Sequence, residues 1–198
     1  MKKNTTHHRA DSTRAKIVKA ARKLFVKHGY AGTSMSKVTE LSKVNHSLIF
    51  HHFKNKQGLW VAVKHDIVKE DENKTTATVL PATTLPFPKF IKQLVINSID
   101  FYRNNPDIMR MIAWQRMEGT KKDIGVTENK HAKTWVAAFQ HYQDAGEMTS
   151  GFPPEFGMTM TLSLCSAIAM DPNHYIEKPA AKKAYIKFIT DKLITALM

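Results

Sequence analysis

Cysteine is almost missing from this sequence: Cys165 stands alone among 198 residues. A disulfide within the chain and a multi-cysteine zinc site are therefore excluded, and a reducing compartment is the natural setting. Cys165 itself is expected to be a small buried apolar residue. No run of about 18 apolar residues occurs, as a membrane helix would need. The basic opening MKKNTTHHRADSTRAK leads into a charged amphipathic segment rather than a signal-peptide core. Neither a membrane partner nor export is expected, which leaves the cytoplasm. A Gly-rich phosphate loop, an HExxH pair and a nucleophile-and-base motif around Cys165 are also lacking, so catalysis is not expected and no cofactor is implied. Nor are there repeats, low-complexity tracts or the apolar-polar alternation that half-buried strands require.

Acidic residues are scarce in one region only. Residues 1–65 carry fourteen Lys/Arg against Asp11 and Glu40, a net +12, whereas residues 66–198 carry sixteen against fifteen. Nearly all of the chain's net +13 thus lies in its first third. Such a local excess is an electrostatic footprint for a polyanion, with a solvated basic face or an anionic membrane surface as the alternatives on charge alone. The membrane alternative loses because the basic stretch is broken into short helices whose apolar faces are needed inside.

Apolar residues recur at helical spacing almost everywhere, which predicts an all-α protein of about nine helices. The first runs from about Asp11 to His28, behind a disordered basic tail of about residues 1–10, and Gly29 closes it in the left-handed conformation. Thr33 or Ser34 caps a short second helix ending near Ser42. Asn45 caps the third, through Phe53, and Asn55 the fourth, from Lys56 to about Thr75. Val79 to Pro88, with three prolines, predicts a flexible connection. A fifth helix is expected from about Lys89 to Arg103 and a sixth from Pro106 to about Glu118, then a loop over Gly119 to Thr127. A seventh covers Glu128 to Ala145 and an eighth runs from Pro153–Pro154 to Met170. After a break at Asp171 to His174, the ninth spans Pro179 to Leu197. The division expected is a head at 1–56 and a body at 57–198.

Residues 33–53 have the order of a helix-turn-helix: a bracing helix, a turn of about three residues, and a second helix whose outward side chains face base edges. Met35, Val38 and Leu41 are expected to face the core from the first of these, with Val44 in the turn. Ile49 and Phe53 anchor the second, which leaves His46, Ser47, Phe50, His51 and His52 near the groove.

The stretch TRAKIVKAARKLFVKHGYAGTSMSKVTELSKVNHSLIFHHFKNKQGL resembles the N-terminal signature of the TetR family over about 47 residues without a gap. The match is carried by Thr13, Arg14, Ile17, Ala20-Ala21, Leu24-Phe25, Gly29-Tyr30, Thr33-Ser34, Val38, Val44, Ile49-Phe50, His52-Phe53, Lys56 and Leu59. The resemblance implies a bacterial transcriptional regulator, by default a repressor. It implies a three-helix DNA-binding head on an all-helical body that dimerises through its last two long helices and often holds an inducer pocket. Double-stranded operator DNA and a second copy of the chain are then the expected partners. Carried over by position, Thr33 caps the second helix and touches phosphate, as do His52 and Lys56, while His46, Ser47 and His51 read base edges. Asn45 caps the reading helix and Lys43 reaches the DNA backbone. Three residues depart from the family pattern: Lys43 and Ser47 stand where Gly is common, and Phe50 where a phosphate-binding Tyr is usual. Phe50 could instead press on a thymine methyl.

The body offers two readings throughout. Phe101, Tyr102, Met109, Trp114, Met117, Trp135 and Phe139 either line a cavity for a small apolar or amphipathic inducer or form plain core. Leu162 and Ile168 of the eighth helix, with Tyr185, Phe188, Ile189 and Leu193 of the ninth, either form a two-fold four-helix interface or pack within the chain. The fourth helix, beginning at Lys56, is the lever expected to transmit a ligand signal. Two other functions remain open: a protein of this fold that antagonises a related regulator without specific DNA binding, and a metal sensor. The offsets among His46, His51 and His52 do not favour the sensor.

Overall fold

A residue stays helical while its backbone has no better hydrogen-bonding option, and this chain interrupts its helices with glycine, proline and capping side chains. The computed structural model describes residues 3–74, 79–118, 130–170 and 175–198, and among them every regular element is an α-helix. They are α1 (Lys3–His28), α2 (Met35–Ser42), α3 (His46–Phe53), α4 (Lys56–Lys74), α5 (Phe87–Asn104), α6 (Pro106–Met117), α7 (Lys130–Asp144), α8 (Pro154–Met170) and α9 (Pro179–Leu197). Nine elements in this order match the all-α expectation. The expected loop at 119–127, the break at 171–174 and the far end of the fourth helix lie outside the described residues.

Two boundaries differ from expectation. Helix α1 begins at Lys3 rather than near Asp11, since nothing between them, neither Gly nor Pro, obliges the backbone to stop. Helix α5 starts at Phe87 with Pro88 inside its first turn, where a missing N–H costs nothing, and the Phe87 N–H is taken by the Glu147 carboxylate at 2.8 Å. The segment before it is not a free linker. Pro81 is buried, and the Leu85 carbonyl accepts the Tyr142 hydroxyl at 2.7 Å.

The chain forms two compact units, Met1–Asn73 with Arg110–Gly125, and Lys74–Met109 with Val126–Met198. The first is called the head here and the second the body. In the head, α1 contributes Ile17, Ala21 and Phe25, α2 Val38, α3 Ile49 and Phe53, and α4 Leu59, Trp60 and Val63, all buried. Phe25 and Trp60 meet edge to face at 4.9 Å, a favoured aromatic arrangement. Leu41 was expected in this core but is 48% exposed, because an eight-residue helix cannot turn every apolar residue inward.

The body buries a larger cluster. Phe87, Phe90, Ile91, Leu94, Val95 and Ile99 of α5 pack with Phe139 and Tyr142 of α7, Cys165 and Ile168 of α8, and Ile189, Leu193 and Leu197 of α9. Cys165 is fully buried as expected, and burial pushes its thiol up to about 12, which keeps it protonated and unreactive.

Candidate nucleic-acid interface

The turn between α2 and α3 is three residues long. Ser34 caps α2, its hydroxyl accepting the Lys37 N–H at 3.2 Å. Lys43 ends α2 in the left-handed region at φ 55°, the conformation that a glycine adopts without strain. Val44 drops into the core, and the Asn45 side-chain oxygen accepts both the Ser47 N–H and the Ser47 hydroxyl at 2.9 Å. Helix α3 therefore starts from a fully specified cap.

Within α3, Ile49 and Phe53 take the buried side, at 0% and 5% exposure. Successive residues turn by about 100°, so Ser47 and His51 lie opposite them, and both are exposed. His46 and Phe50 are exposed toward the N-terminal end, their rings 4.7 Å apart, and His52 is half-buried with its ring 5.7 Å from that of His51. Lys43, Asn45 and Lys54 are exposed at the two ends of the helix. The structure thus brings Lys43, Asn45, His46, Ser47, Phe50 and His51 onto one accessible surface. Leu48, 39% exposed and next to His51 in angle on the side away from Ser47, joins them. Reading by residue type alone passes it over, whereas its angular position on the helix would have found it.

Two expected phosphate contacts are placed elsewhere. Thr33 is 1% exposed, and its hydroxyl donates to the Gly29 carbonyl at 2.8 Å, so Ser34 is the cap and Thr33 offers no hydroxyl outward. Lys56 folds its ammonium inward onto the carbonyls of Tyr30 and Thr33 at 2.8 and 3.0 Å, 4.3 Å from the centre of the Tyr30 ring. It braces the start of α4 against the α1–α2 loop. The first turn of α4 is capped by Asn55, whose side-chain oxygen accepts the Gly58 N–H at 2.8 Å.

The same loop is held by the end of α6. The Glu118 carboxylate accepts the Ala31 N–H at 3.1 and 3.2 Å, and the Trp114 indole N–H donates to the Val26 carbonyl at 3.2 Å. Gly29, at φ 70°, lies so close to both that a Cβ there would overlap the Glu118 carboxylate and stand 2.9 Å from the Trp114 ring. Nearby burial, with the negative Glu118 beside it, raises the Tyr30 hydroxyl above its ordinary 10.0. On α4, Lys64 donates to the Gln115 side-chain oxygen at 2.9 Å, and desolvation lowers its ammonium to about 8. Sequence pattern does not reveal the Glu118–Ala31 and Trp114–Val26 contacts, because they join residues more than eighty positions apart.

The remaining expected site residues divide. Phe139 is fully buried within the body's core, 6.1 Å from Phe90, and Phe101 and Met109 are also buried. Tyr102 and Trp135 are half-buried against that core. Met117, expected on an enclosed helix, is 68% exposed, and Trp114 is committed to Val26 within the head. Of the expected interface residues, Ile168, Ile189 and Leu193 are used within the chain's own core, and Tyr185, half-buried, donates its hydroxyl to the Leu164 carbonyl at 2.9 Å. Leu162 is half-buried and Phe188 is 58% exposed. An exposed stripe runs along α8 through Phe156, Met160, Ser163, Ala167 and Met170 at spacings of four and three residues. The helix has a second apolar face that sequence counting did not separate from the first.

Comparison with known proteins gives one family for both parts of the chain. Residues 17–63 match the profile of bacterial regulatory proteins of the tetR family, and residues 91–190 match a tetracyclin repressor-like C-terminal domain. The HTH-type transcriptional repressor SCO4008 of Streptomyces coelicolor is 27% identical over 145 residues, 72% of this chain and 71% of that protein. The crystal structure of a TetR-family transcriptional regulator from Haemophilus influenzae superposes with a TM-score of 0.65 at 22% identity, covering 94% of this chain and 97% of the other. The structure of AibR in complex with isovaleryl coenzyme A and operator DNA shares the fold with a TM-score of 0.56 at 15% identity, over 92% of this chain and 98% of that one.

Proposed function

The chain belongs to the TetR family of bacterial regulatory proteins, and from that premise we propose that it is a transcriptional repressor that binds a palindromic operator as a homodimer and leaves it when a small apolar or amphipathic inducer binds. The observation that carries this reading is the outward face of α3. A polar, hydrogen-bond-capable face stands over a fully buried anchor, in the part of the chain that holds almost all the net charge. Ser47 and His51 are the base readers at its centre, with His46 beside them. Lys43, Lys54, Ser34 and His52 position the helix on phosphates. Asn45 serves by holding Ser47, and Lys56 by holding the loop.

Two heads must be presented about 34 Å apart to meet successive major grooves. The α8 stripe of Phe156, Met160, Ser163, Ala167 and Met170, with Phe188 of α9, supplies an apolar face that a second copy would cover. Charged substitution of Phe188 should shift the chain from dimer to monomer in light scattering. An unchanged mass would remove this face from the interface.

Release by an inducer requires different ligand affinities for the DNA-competent and DNA-incompetent arrangements. Tyr102 and Trp135 are the half-buried aromatics through which the body would take a ligand; AibR, which shares the fold, was solved in complex with isovaleryl coenzyme A and operator DNA. Within the head, a shift of the last turn of α6 would loosen Glu118 from Ala31 and Trp114 from Val26, and so the loop that Lys56 ties to α4. The deciding experiment is selection of bound fragments from the source genome, followed by titration against competitor DNA. A symmetric site should emerge, and log affinity should fall with log salt at a slope of about −7 if a dimer neutralises about eight phosphates. A dimer with no sequence preference would instead make the chain an antagonist of a related regulator.

A further inference from the structure

We infer that Leu48 and Phe50 read thymine through its C5-methyl group, so that each operator half-site carries thymines on both flanks of the base pairs met by Ser47 and His51. This inference rests on the DNA-binding reading above and deepens it. Single exposed apolar residues are ordinary on protein surfaces. What sets these two apart is their position. Leu48 is 39% exposed and Phe50 38%, and they lie to either side of the outward-facing Ser47 and His51 on an eight-residue helix.

Anything docked on Ser47 and His51 must therefore also cover Leu48 and Phe50. Lys43 and Lys54 stand exposed at the two ends of the same helix, in a segment of net +12, so the occupant is anionic. An acidic polymer with apolar groups at helical spacing describes duplex DNA. Among the major-groove edges of the four bases, the thymine methyl is the one apolar feature. Phe50 has no hydroxyl to give a phosphate, and its ring lies 4.7 Å from that of His46, the first residue of the helix. Leu48 has no polar group at all. Covering a methyl with either side chain is favourable by the ordinary burial of apolar surface, equivalent to about fourfold in affinity per methyl.

The test uses the operator recovered by selection. Deoxyuridine replaces thymidine one position at a time, which removes the methyl and leaves the hydrogen-bonding edge intact. With the wild-type protein, two sets of positions in each half-site should each lose about fourfold in affinity. Leu48→Ala should abolish the loss at one set and Phe50→Ala at the other, with the salt slope unchanged. Circular dichroism checks that the variants fold, and the wild-type measurements stand even where they do not. If the operator is bound selectively yet every uracil-substituted duplex binds as tightly as the thymine one, the inference falls while the DNA-binding reading survives. It falls equally if the uracil penalties persist unaltered in both folded variants. If selection returns no preferred site, the DNA-binding reading itself fails and this inference goes with it.

Discussion

The head and the body of this protein are stabilised by different means. The body rests on a distributed cluster in which Phe87, Phe90, Phe139 and Tyr142 are all fully buried among aliphatic neighbours from four helices. The head buries fewer large groups, and its helix-turn-helix is held at particular points: Asn45 on Ser47, Lys56 on two carbonyls, Glu118 on Ala31, Trp114 on Val26. A distributed apolar core tolerates the loss of any one polar contact. A surface that must present bare side chains to a ligand cannot bury them, so its shape depends on a few directional bonds beneath.

The largest effect that sharpens this contrast should come from Phe139→Ala. Emptying that site in the body is expected to cost about 3–5 kcal/mol, read as a lowered midpoint in denaturant titration. Trp135 reports on the body while Trp60 and Trp114 lie in the head, so single-tryptophan versions show which unit is affected. In the head the corresponding change is Gly29→Ala, which places a side chain at positive φ against Trp114 and Glu118. A loss of about 2–4 kcal/mol is expected there, and operator binding should weaken with it. A fully stable Gly29→Ala protein would show that the grip of α6 on the loop does not matter.

Lys56→Met comes next. Removing a charged donor from two carbonyls should destabilise the head by about 1.5–3 kcal/mol. Lys54→Met, at an exposed position, should leave stability within about 0.5 kcal/mol and reduce the salt slope of DNA binding by about 1. If the two substitutions exchanged these effects, Lys56 would be a phosphate ligand after all. A further test concerns pH. Lys64 is lowered to about 8 in the folded chain from an ordinary 10.5. Between those values the unfolded chain holds a proton that the folded chain has lost, so stability rises with pH across that window; below it the cost of burying the charged ammonium is constant and this group adds no pH dependence. Lys64→Met should flatten that rise in thermal melts taken from pH 7.5 to 10.

Much of this was legible in sequence. Gly29 was read as a left-handed stop and has φ 70°, Asn45 and Asn55 were read as caps and make those bonds, and Ile49 and Phe53 were read as anchors and are buried. These features depend on neighbours a few positions away. Local pattern does not show where the Thr33 and Lys56 side chains go, because they are claimed by the Gly29 carbonyl for one and the Tyr30 and Thr33 carbonyls for the other. Of the expected interface set, Ile168, Ile189 and Leu193 are buried within the chain and Phe188 is exposed, since apolar spacing shows that a helix has a face to bury but not what buries it.

Local pattern and composition are enough for the all-helical class, the positions of the caps and stops, the charge concentrated in the first third and the helix that presents Ser47 and His51. Each of these is a local propensity or a simple sum. Tertiary packing is needed to show that Lys56 turns inward, that Glu118 and Trp114 reach the α1–α2 loop and the end of α1 more than eighty residues away, and which side of α8 is exposed among the described residues. Those outcomes depend on which groups compete for the same space and the same hydrogen bonds, and that competition exists only once distant segments have met.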